Sequence, residues 1–394
     1  MNICVISSYP PPPTGIGTYT KELYTALSGE FNIKVVILSN TVDYKSNKLV
    51  VVKAWGGDEI TYPLRLFMRI VLARFDIIHI QHEHWLYGRG IRSITFLILL
   101  LLLKFLRRPI VITMHCTLTY KELTSAFFKK HRLGARATLI KKLYLTIYHA
   151  LINLLASKVI VHSSLARRIL VNEWGFEVGK VVVIPHGTSL IHFRQSVKEA
   201  NFDFTLLIFG EIRRGKGIEY AIGAMPKILS EVPACTLIIA GMYDTKLSPE
   251  SAGYLEELNV LIRKLRLENH VALKTNISED DVKSLFLAAD IVIFPYVEDE
   301  IVAASGPVLT ALGFGKPIIA TRLRRFNGYL RDGENAIMVP PANSDELARA
   351  IISLLKDSQV RDKLSRSSMR LAQSLDWKNV AKKTLALYEE LMNK

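Results

Sequence analysis

The chain has few cysteines, few glutamines and no apolar run of membrane-spanning length. Cys4, Cys116 and Cys235 form an odd set of three, far apart, each in or beside an apolar stretch. No Cys-x-x-Cys spacing occurs, so neither a disulfide framework nor a thiolate zinc site is expected; buried free thiols in a reducing compartment are the reading. Glutamine occurs only at Gln81, Gln195, Gln359 and Gln373, which fits a thermophilic source. The apolar segment 94–103 is ten residues long and bracketed by Arg92 and Lys104. A spanning helix needs about 20 such residues. A buried or semi-buried helix is expected there, with an interfacial helix that dips into lipid as the alternative. The first strand begins at once, with no basic and apolar leader before it, so no signal peptide is expected.

Acidic residues are what the first half lacks. Residues 1–200 hold 26 basic and 11 acidic side chains, whereas 201–394 hold 25 of each. The whole net charge of +15 therefore sits in the first half, and 101–150 carries a single acid, Glu122. A uniformly basic protein is excluded, and one half is expected to face an anionic partner. Nucleic acid is disfavoured because no known binding motif is present. With 394 residues, 49% of them apolar, the chain is neither disordered nor low-complexity, and two domains are expected.

Short Val- and Ile-rich strands alternate with helices throughout. Strands are expected at 2–7, 33–39, 49–53, 76–81, 109–114, 158–162 and 180–184, with helices at 18–28, 63–74, 90–106, 135–156 and 164–173. The second half repeats the scheme, with strands at 204–209, 235–240, 270–274, 291–294, 317–320 and 336–339. Its helices fall at 217–230, 252–266, 279–288, 306–313, 344–356, 358–373 and 376–392. This pattern predicts parallel sheets covered on both faces, with ligands beyond the carboxyl ends of the strands. The polar stretch 187–203 is the linker candidate.

Three segments carry chemistry. The first strand-to-helix turn runs through Pro10–Pro13 to Gly15-Ile16-Gly17, where backbone N–H groups could approach an anion at a helix N-terminus. A plain glycine-rich turn is the alternative, and the spacing does not fit a dinucleotide fingerprint. The second turn, Gly210-Glu211-Ile212-Arg213-Arg214-Gly215-Lys216-Gly217, combines glycine, cations and a helix start, which suits phosphate. The third follows the strand at 291–294. An acidic loop with Glu298 and Glu300 leads to Ser305-Gly306-Pro307-Val308, where proline opens a helix and unpaired N–H groups make a second anion seat.

These segments, with Asp76 to Glu83, Pro109 to His115 and Val183 to Thr188, resemble the signatures of the retaining glycosyltransferases of family 4 in order and spacing. The resemblance covers nearly the whole chain and implies an α/β GT-B fold, two Rossmann-like domains facing across a cleft. It divides the chain into an acceptor-side domain at 1–190, a nucleotide-sugar-binding domain at 200–373 and a final helix, 374–394, packing back on the first domain. It implies transfer of a hexose from a nucleotide-diphosphate sugar. Catalytic roles are implied for His115, Arg213 and Lys216, with His115 meeting the sugar; a satisfied core histidine is its plain alternative. Donor contacts are implied for Gly15, Gly17, Ser305, Gly306, Pro307, Val308 and Thr310. The family usually places two glutamates where this chain has Val302 and Thr310, so Glu298, or else Glu300, is expected to substitute. Glu211 likewise stands where the family often has arginine.

No metal and no cofactor is expected, the nucleotide sugar being a co-substrate. His79, His82 and His84 cluster in sequence without a carboxylate or thiol set at ligand spacing. Lys129, Lys130, Arg132, Arg136, Lys141 and Lys142 lie among aliphatic and aromatic residues, which suits an anionic membrane surface; a solvated basic face is the alternative. The acceptor is expected to be lipid-linked or a saccharide, and the protein cytoplasmic and peripheral on the inner face of the cell membrane. A non-catalytic membrane-associated subunit of the same fold is the main rival, and a Rossmann dehydrogenase a weaker one.

Overall fold

The computed structural model describes residues 1–11, 14–56, 60–84, 86–88, 90–130, 133, 136–191, 202–244, 251–298 and 301–393. Arg132, Glu300, the Lys130 side chain and most of the 187–203 stretch lie outside the described residues. The chain forms two compact units, Met1–Gly187 with Glu300–Ala304 and Leu375–Lys394, and Thr188–Asp299 with Ser305–Ser374.

The first unit is built on β1 (Asn2–Ile6), β2 (Lys34–Ser39), β3 (Tyr44–Lys45), β4 (Leu49–Lys53), β5 (Ile77–His82), β6 (Ile110–Met114), β8 (Lys158–Val161) and β9 (Val181–Val183), in the order β3-β4-β2-β1-β5-β6-β8-β9. All pairings are parallel except β3 with β4. Successive side chains of a strand point to opposite faces. Ile3 and Val5 accordingly join one hydrophobic cluster and Cys4 and Ile6 the other. The first cluster receives α1 (Gly15–Glu30) and α13 (Trp377–Met392), and the second receives α2 (Tyr62–Leu72), α3 (Ile94–Lys104), α5 (Thr138–Leu155) and α6 (Ser164–Trp174). All three cysteines are free and buried. The apolar run at 94–103 is α3, whose Phe96, Leu99, Leu100 and Leu103 are fully buried. Among the described residues no helix is long and apolar enough to cross a membrane.

A short antiparallel ribbon was not foreseen. β7 (Cys116–Leu118) pairs with β14 (Ile301–Ala303), setting Val302 opposite Thr117 and Ala303 opposite Cys116. A contiguous second domain over 200–373 therefore needs correction, since 300–304 belongs to the first unit. The physical reason is burial: Val302 is only 4% exposed within the first unit's core.

The second unit holds β10 (Phe204–Phe209), β11 (Cys235–Gly241), β12 (Val271–Thr275), β13 (Ile291–Phe294), β15 (Ile318–Thr321) and β16 (Ile337–Val339), all parallel, in the order β12-β11-β10-β13-β15-β16. Its helices are α7 (Ile218–Glu231), α8 (Tyr254–Lys264), α9 (Glu279–Ala288), α10 (Gly306–Gly313), α11 (Ser344–Lys356) and α12 (Ser358–Ser374). The strand order reverses between β10 and β13, the position at which open α/β sheets bind ligands.

Helix α13 is tied to the first sheet by two devices. Tyr388 and Tyr24 both place their hydroxyls on His79 Nδ1, at 2.5 and 2.7 Å. Trp377 packs edge-on to Tyr19 at 5.3 Å, so close to Gly187 that a Cβ there would lie 2.3 Å from its ring. Trp377→Ala is expected to cost about 3–5 kcal/mol, read as a lowered denaturation midpoint, and Gly187→Ala to destabilise in the same assay. Unchanged midpoints for both would contradict this packing account.

Candidate active site

In the second unit, β10 ends at Phe209 and the chain turns through Gly210 at φ 138°. Crowding requires glycine here: a Cβ on Gly241 would sit 1.7 Å from the Gly210 carbonyl oxygen, and one on Gly217 1.9 Å from that of Pro295. The Gly210–Gly217 loop is thus laid directly on the loop that follows β13, and Val297 N–H donates to the Gly215 carbonyl at 3.0 Å. On its other side Gly210 faces Pro307, 3.1 Å from where its Cβ would be, at the first turn of α10.

This crowding collects charge. Lys216 is half-buried with its ammonium 3.9 Å from the centre of the Tyr296 ring, and Arg325 lies over the same ring at 5.5 Å. Arg213 donates from Nε to Glu211 at 3.1 Å and from Nη1 to Glu298 at 3.2 Å. Burial lowers the Lys216 ammonium, Tyr296 opposes that, and Arg213 and Arg325 push it down further, leaving it below its ordinary value. Burial also works against the Arg213 guanidinium, but Glu211 and Glu298 outweigh it and its value is raised. Arg213, Lys216, Glu298, Ser305, Gly306 and Pro307 are therefore brought together. Val308 is turned into the core, and the Thr310 hydroxyl donates to the Gly306 carbonyl at 3.0 Å. Arg325 escaped the sequence reading; the available signal was the Arg322, Arg324 and Arg325 group just past a buried strand.

In the first unit the strand order reverses between β1 and β5, and a second constellation stands beyond these strands and their neighbours. Thr14 caps α1 by accepting from Gly17 N–H at 3.0 Å, which fixes Gly15 and Gly17 in the first turn. His115 follows β6 and is half-buried, its ring edge-on to Tyr19 at 4.7 Å. The Ile184 carbonyl can only accept, so His162 donates to it from Nδ1 at 3.0 Å and carries its proton there. His115 Nε2 donates to Gln81 Oε1 at 2.8 Å, and its Nδ1 faces His162 Nε2 at 3.2 Å. Burial holds His115 well below the ordinary imidazole value, with His162 and His186 adding to the shift. A neutral, clamped ring can orient a hydroxyl but is no proton shuttle near neutrality. Gln81 and His162 were not singled out in the sequence; their positions at the ends of buried strands are the signal that marks them.

His82 Nε2 pairs with the Tyr148 hydroxyl at 2.7 Å, and among the described residues no three His, Cys, Asp or Glu side chains converge in a metal-binding group. The basic residues gather where α4 (Ser125–Lys130) and α5 meet. Lys129 and Arg136 are exposed, Lys141 lies over the Phe128 ring at 5.2 Å, and Lys142 over Tyr120 at 4.9 Å.

Two Rossmann-like domains in one chain, the second with glycine turns and cations at its switch point, define the GT-B class of architecture. Residues 13–190 match the model of Glycosyltransferase Family 4 and residues 192–370 that of the Glycosyl transferases group 1. The chain belongs to these glycosyltransferase families. An uncharacterised glycosyltransferase of Methanocaldococcus jannaschii is 28% identical over 56% of this chain, and the match spans about half of that relative, 53%. The phosphatidyl-myo-inositol mannosyltransferase of Mycolicibacterium smegmatis is 27% identical over 80% of this chain and 71% of that protein. Among solved structures, the sucrose-phosphate synthase of Thermosynechococcus elongatus aligns with a TM-score of 0.74 at 19% identity, covering 100% of this chain and 99% of that one. HepE of Anabaena, solved in complex with UDP-glucose, aligns with a TM-score of 0.72 at 17% identity, covering 99% of this chain and 100% of that one. At these identities the structural likeness shows the fold.

The histidines of the first unit predict a pH dependence. Burial pushes His79 and His162 down to about 3 and His186 to about 4, from an ordinary value of 6.5. Below that ordinary value the unfolded chain takes up protons that the folded domain refuses, so stability is full above it and is lost as the pH falls. Calorimetry from about pH 7 to about pH 4 is expected to show a falling transition temperature for the first domain, and a shallower fall for His162→Gln. A flat profile would contradict the neutral-histidine assignment.

Proposed function

We propose that the chain is a retaining glycosyltransferase that moves a hexose from a nucleotide-diphosphate sugar to a lipid-linked or saccharide acceptor at an anionic membrane surface. One observation carries this reading: Arg213, Lys216 and Arg325 cluster around Tyr296 where the second sheet reverses its strand order. As the bond between the sugar and the diphosphate breaks, negative charge grows on the departing phosphate oxygen. Cations and N–H groups fixed in advance at that point lower the barrier because they act most strongly in the transition state. The N–H groups at the start of α10 add to the three charged side chains.

The acceptor hydroxyl attacks from the face the diphosphate leaves. Its oxygen bonds to the anomeric carbon as the diphosphate oxygen departs with the bonding pair, and a diphosphate oxygen takes the hydroxyl proton. This course needs no enzymic nucleophile, in keeping with a valine at 302. Glu298 has two roles in the proposal: it holds Arg213 before the donor arrives, and it meets sugar hydroxyls once phosphate engages Arg213. For His115 the family resemblance implies contact with the transferred sugar, which suits its fixed neutral ring. The reading assigns no metal or cofactor, since side-chain cations neutralise the leaving group.

The membrane component draws on the first unit. Neighbouring helices α2, α3 and α5 each expose an apolar stripe, including Leu64 and Met68, Ile98 and Leu101, and Leu139 and Leu143. With Lys129, Lys141 and Lys142 nearby, such stripes suit a surface of anionic lipid.

A donor-hydrolysis screen over common nucleotide sugars is the direct test. Turnover of one donor is expected, and Lys216→Ala should lower it roughly 100- to 1,000-fold. Transfer left unchanged by Arg213→Ala with Lys216→Ala would refute the phosphate site. Donor binding without turnover would favour the non-catalytic subunit, motivated by Val302 and Thr310. Vesicles of phosphatidylglycerol and phosphatidylcholine are expected to bind the protein at low salt and to release it at high salt or on charge reversal at Lys129, Lys141 and Lys142; no binding at low salt would refute the membrane component.

A further inference from the structure

We propose that the first domain contains a binding site for a single hydrocarbon chain of an anionic lipid, a cavity of about 370 Å³ under α5. The inference rests on the lipid-acceptor reading above and gives it a location. The volume lies at the lower end of the roughly 300–1,000 Å³ typical of ligand pockets. Its walls come from Leu118 on β7, Phe127 and Phe128 on α4, Leu133, and Leu145 and Tyr148 on α5. His84 also lines it, with its ring against that of His149 at 5.2 Å.

The hydroxyls in this wall are already engaged. Ser93 and Tyr144 share a hydrogen bond of 2.5 Å, and the Tyr148 hydroxyl is held by His82 Nε2 at 2.7 Å. A water placed in a cavity needs two to four polar partners, and a wall whose hydroxyls are already bonded favours an apolar occupant. The mouth points to the source of that occupant. Ile140 lines the cavity yet is 69% exposed, and Leu139, Leu143 and Ile147 extend the same apolar crest along α5. A chain leaving a bilayer against that crest would meet the opening directly.

Charge specifies the rest of the molecule. Lys141 lines the cavity with its ammonium on the Arg136 carbonyl at 2.6 Å, Lys142 follows it in the chain, and no Asp or Glu occurs between Glu122 and Glu173. A carboxylate or phosphate head group is the complement of such an opening, whereas a cationic amphiphile would be repelled. The occupant is therefore one acyl or isoprenoid chain whose anionic head stays at the two lysines.

Dansyl-undecanoic acid titrated into the full chain without vesicles tests the site. Saturable fluorescence enhancement at one equivalent is expected. Leu145→Trp, or the milder Leu145→Phe should the first not fold, fills the cavity and is expected to weaken the probe roughly tenfold or more with an unchanged melting curve. Dodecyl phosphate and farnesyl phosphate, used as competitors, show whether acyl or isoprenoid chains fit better; displacement by either supports the site. Leu143→Glu with Ile147→Glu alters the crest but not the walls, and should abolish vesicle binding while the probe still binds. No saturable binding to the wild type, or equal binding by folded Leu145→Trp, overturns the cavity assignment. Either result with vesicle binding intact leaves the membrane reading standing, so the two fail separately.

Discussion

Three cations placed around one buried aromatic ring set the terms for the second domain. Lys216 and Arg325 lie over Tyr296, and Arg213 is nearby, pinned by Glu211 and Glu298. Like charges at close range repel, and partial removal from water strengthens that repulsion. The backbone holds them there regardless, because Gly210, Gly215 and Gly217 allow two loops to pack where any side chain would collide. The unfavourable charge density is offset by the two carboxylates and by the electron-rich ring face. An anionic substrate would complete that balance.

The first domain follows the opposite electrostatic rule. Its interior histidines are neutral, and they act by hydrogen bonding rather than by charge. His79 joins α1, β5 and α13 through Tyr24 and Tyr388, while its Nε2 meets Thr113 on β6 at 2.7 Å. His162 is fixed by the Ile184 carbonyl and His115 by the Gln81 side-chain oxygen. Satisfied buried polar networks of this kind fix geometry, since each member would be costly to leave unpaired. Lys129 of α4 is exposed, and Lys141 and Lys142 of α5 lie over aromatic rings.

Much of this was legible in the sequence because the relevant signals are local. The Val- and Ile-rich strands and the proline at the opening of α10 place most elements of both sheets, and α10 begins just past Ser305 as expected. Arg213 and Lys216 were readable from glycine spacing. What escaped depends on long-range pairing. The β7–β14 ribbon joins segments far apart in sequence, and neither three-residue strand has a periodicity long enough to read. Arg325 reaches Tyr296 only once β13 and β15 lie side by side. Gln81 and His162 matter because of what they bond, which no spacing rule reveals. The cavity under α5 is a property of packing rather than pattern.

The chain order of the two units has a consequence for how the protein is made. The first unit includes Leu375–Lys394, which are synthesised after every residue of the second. While a ribosome is still elongating, the first sheet has its strands but not α13, so Tyr24, His79 and the Trp377 seat beside Gly187 have no cover. The second unit needs nothing beyond Ser374 and can close first. The half of the chain that is translated earliest is thus the half that matures last. Until α13 docks, the apolar face of α1 and the sheet that receives Trp377, Val380 and Tyr388 stays open.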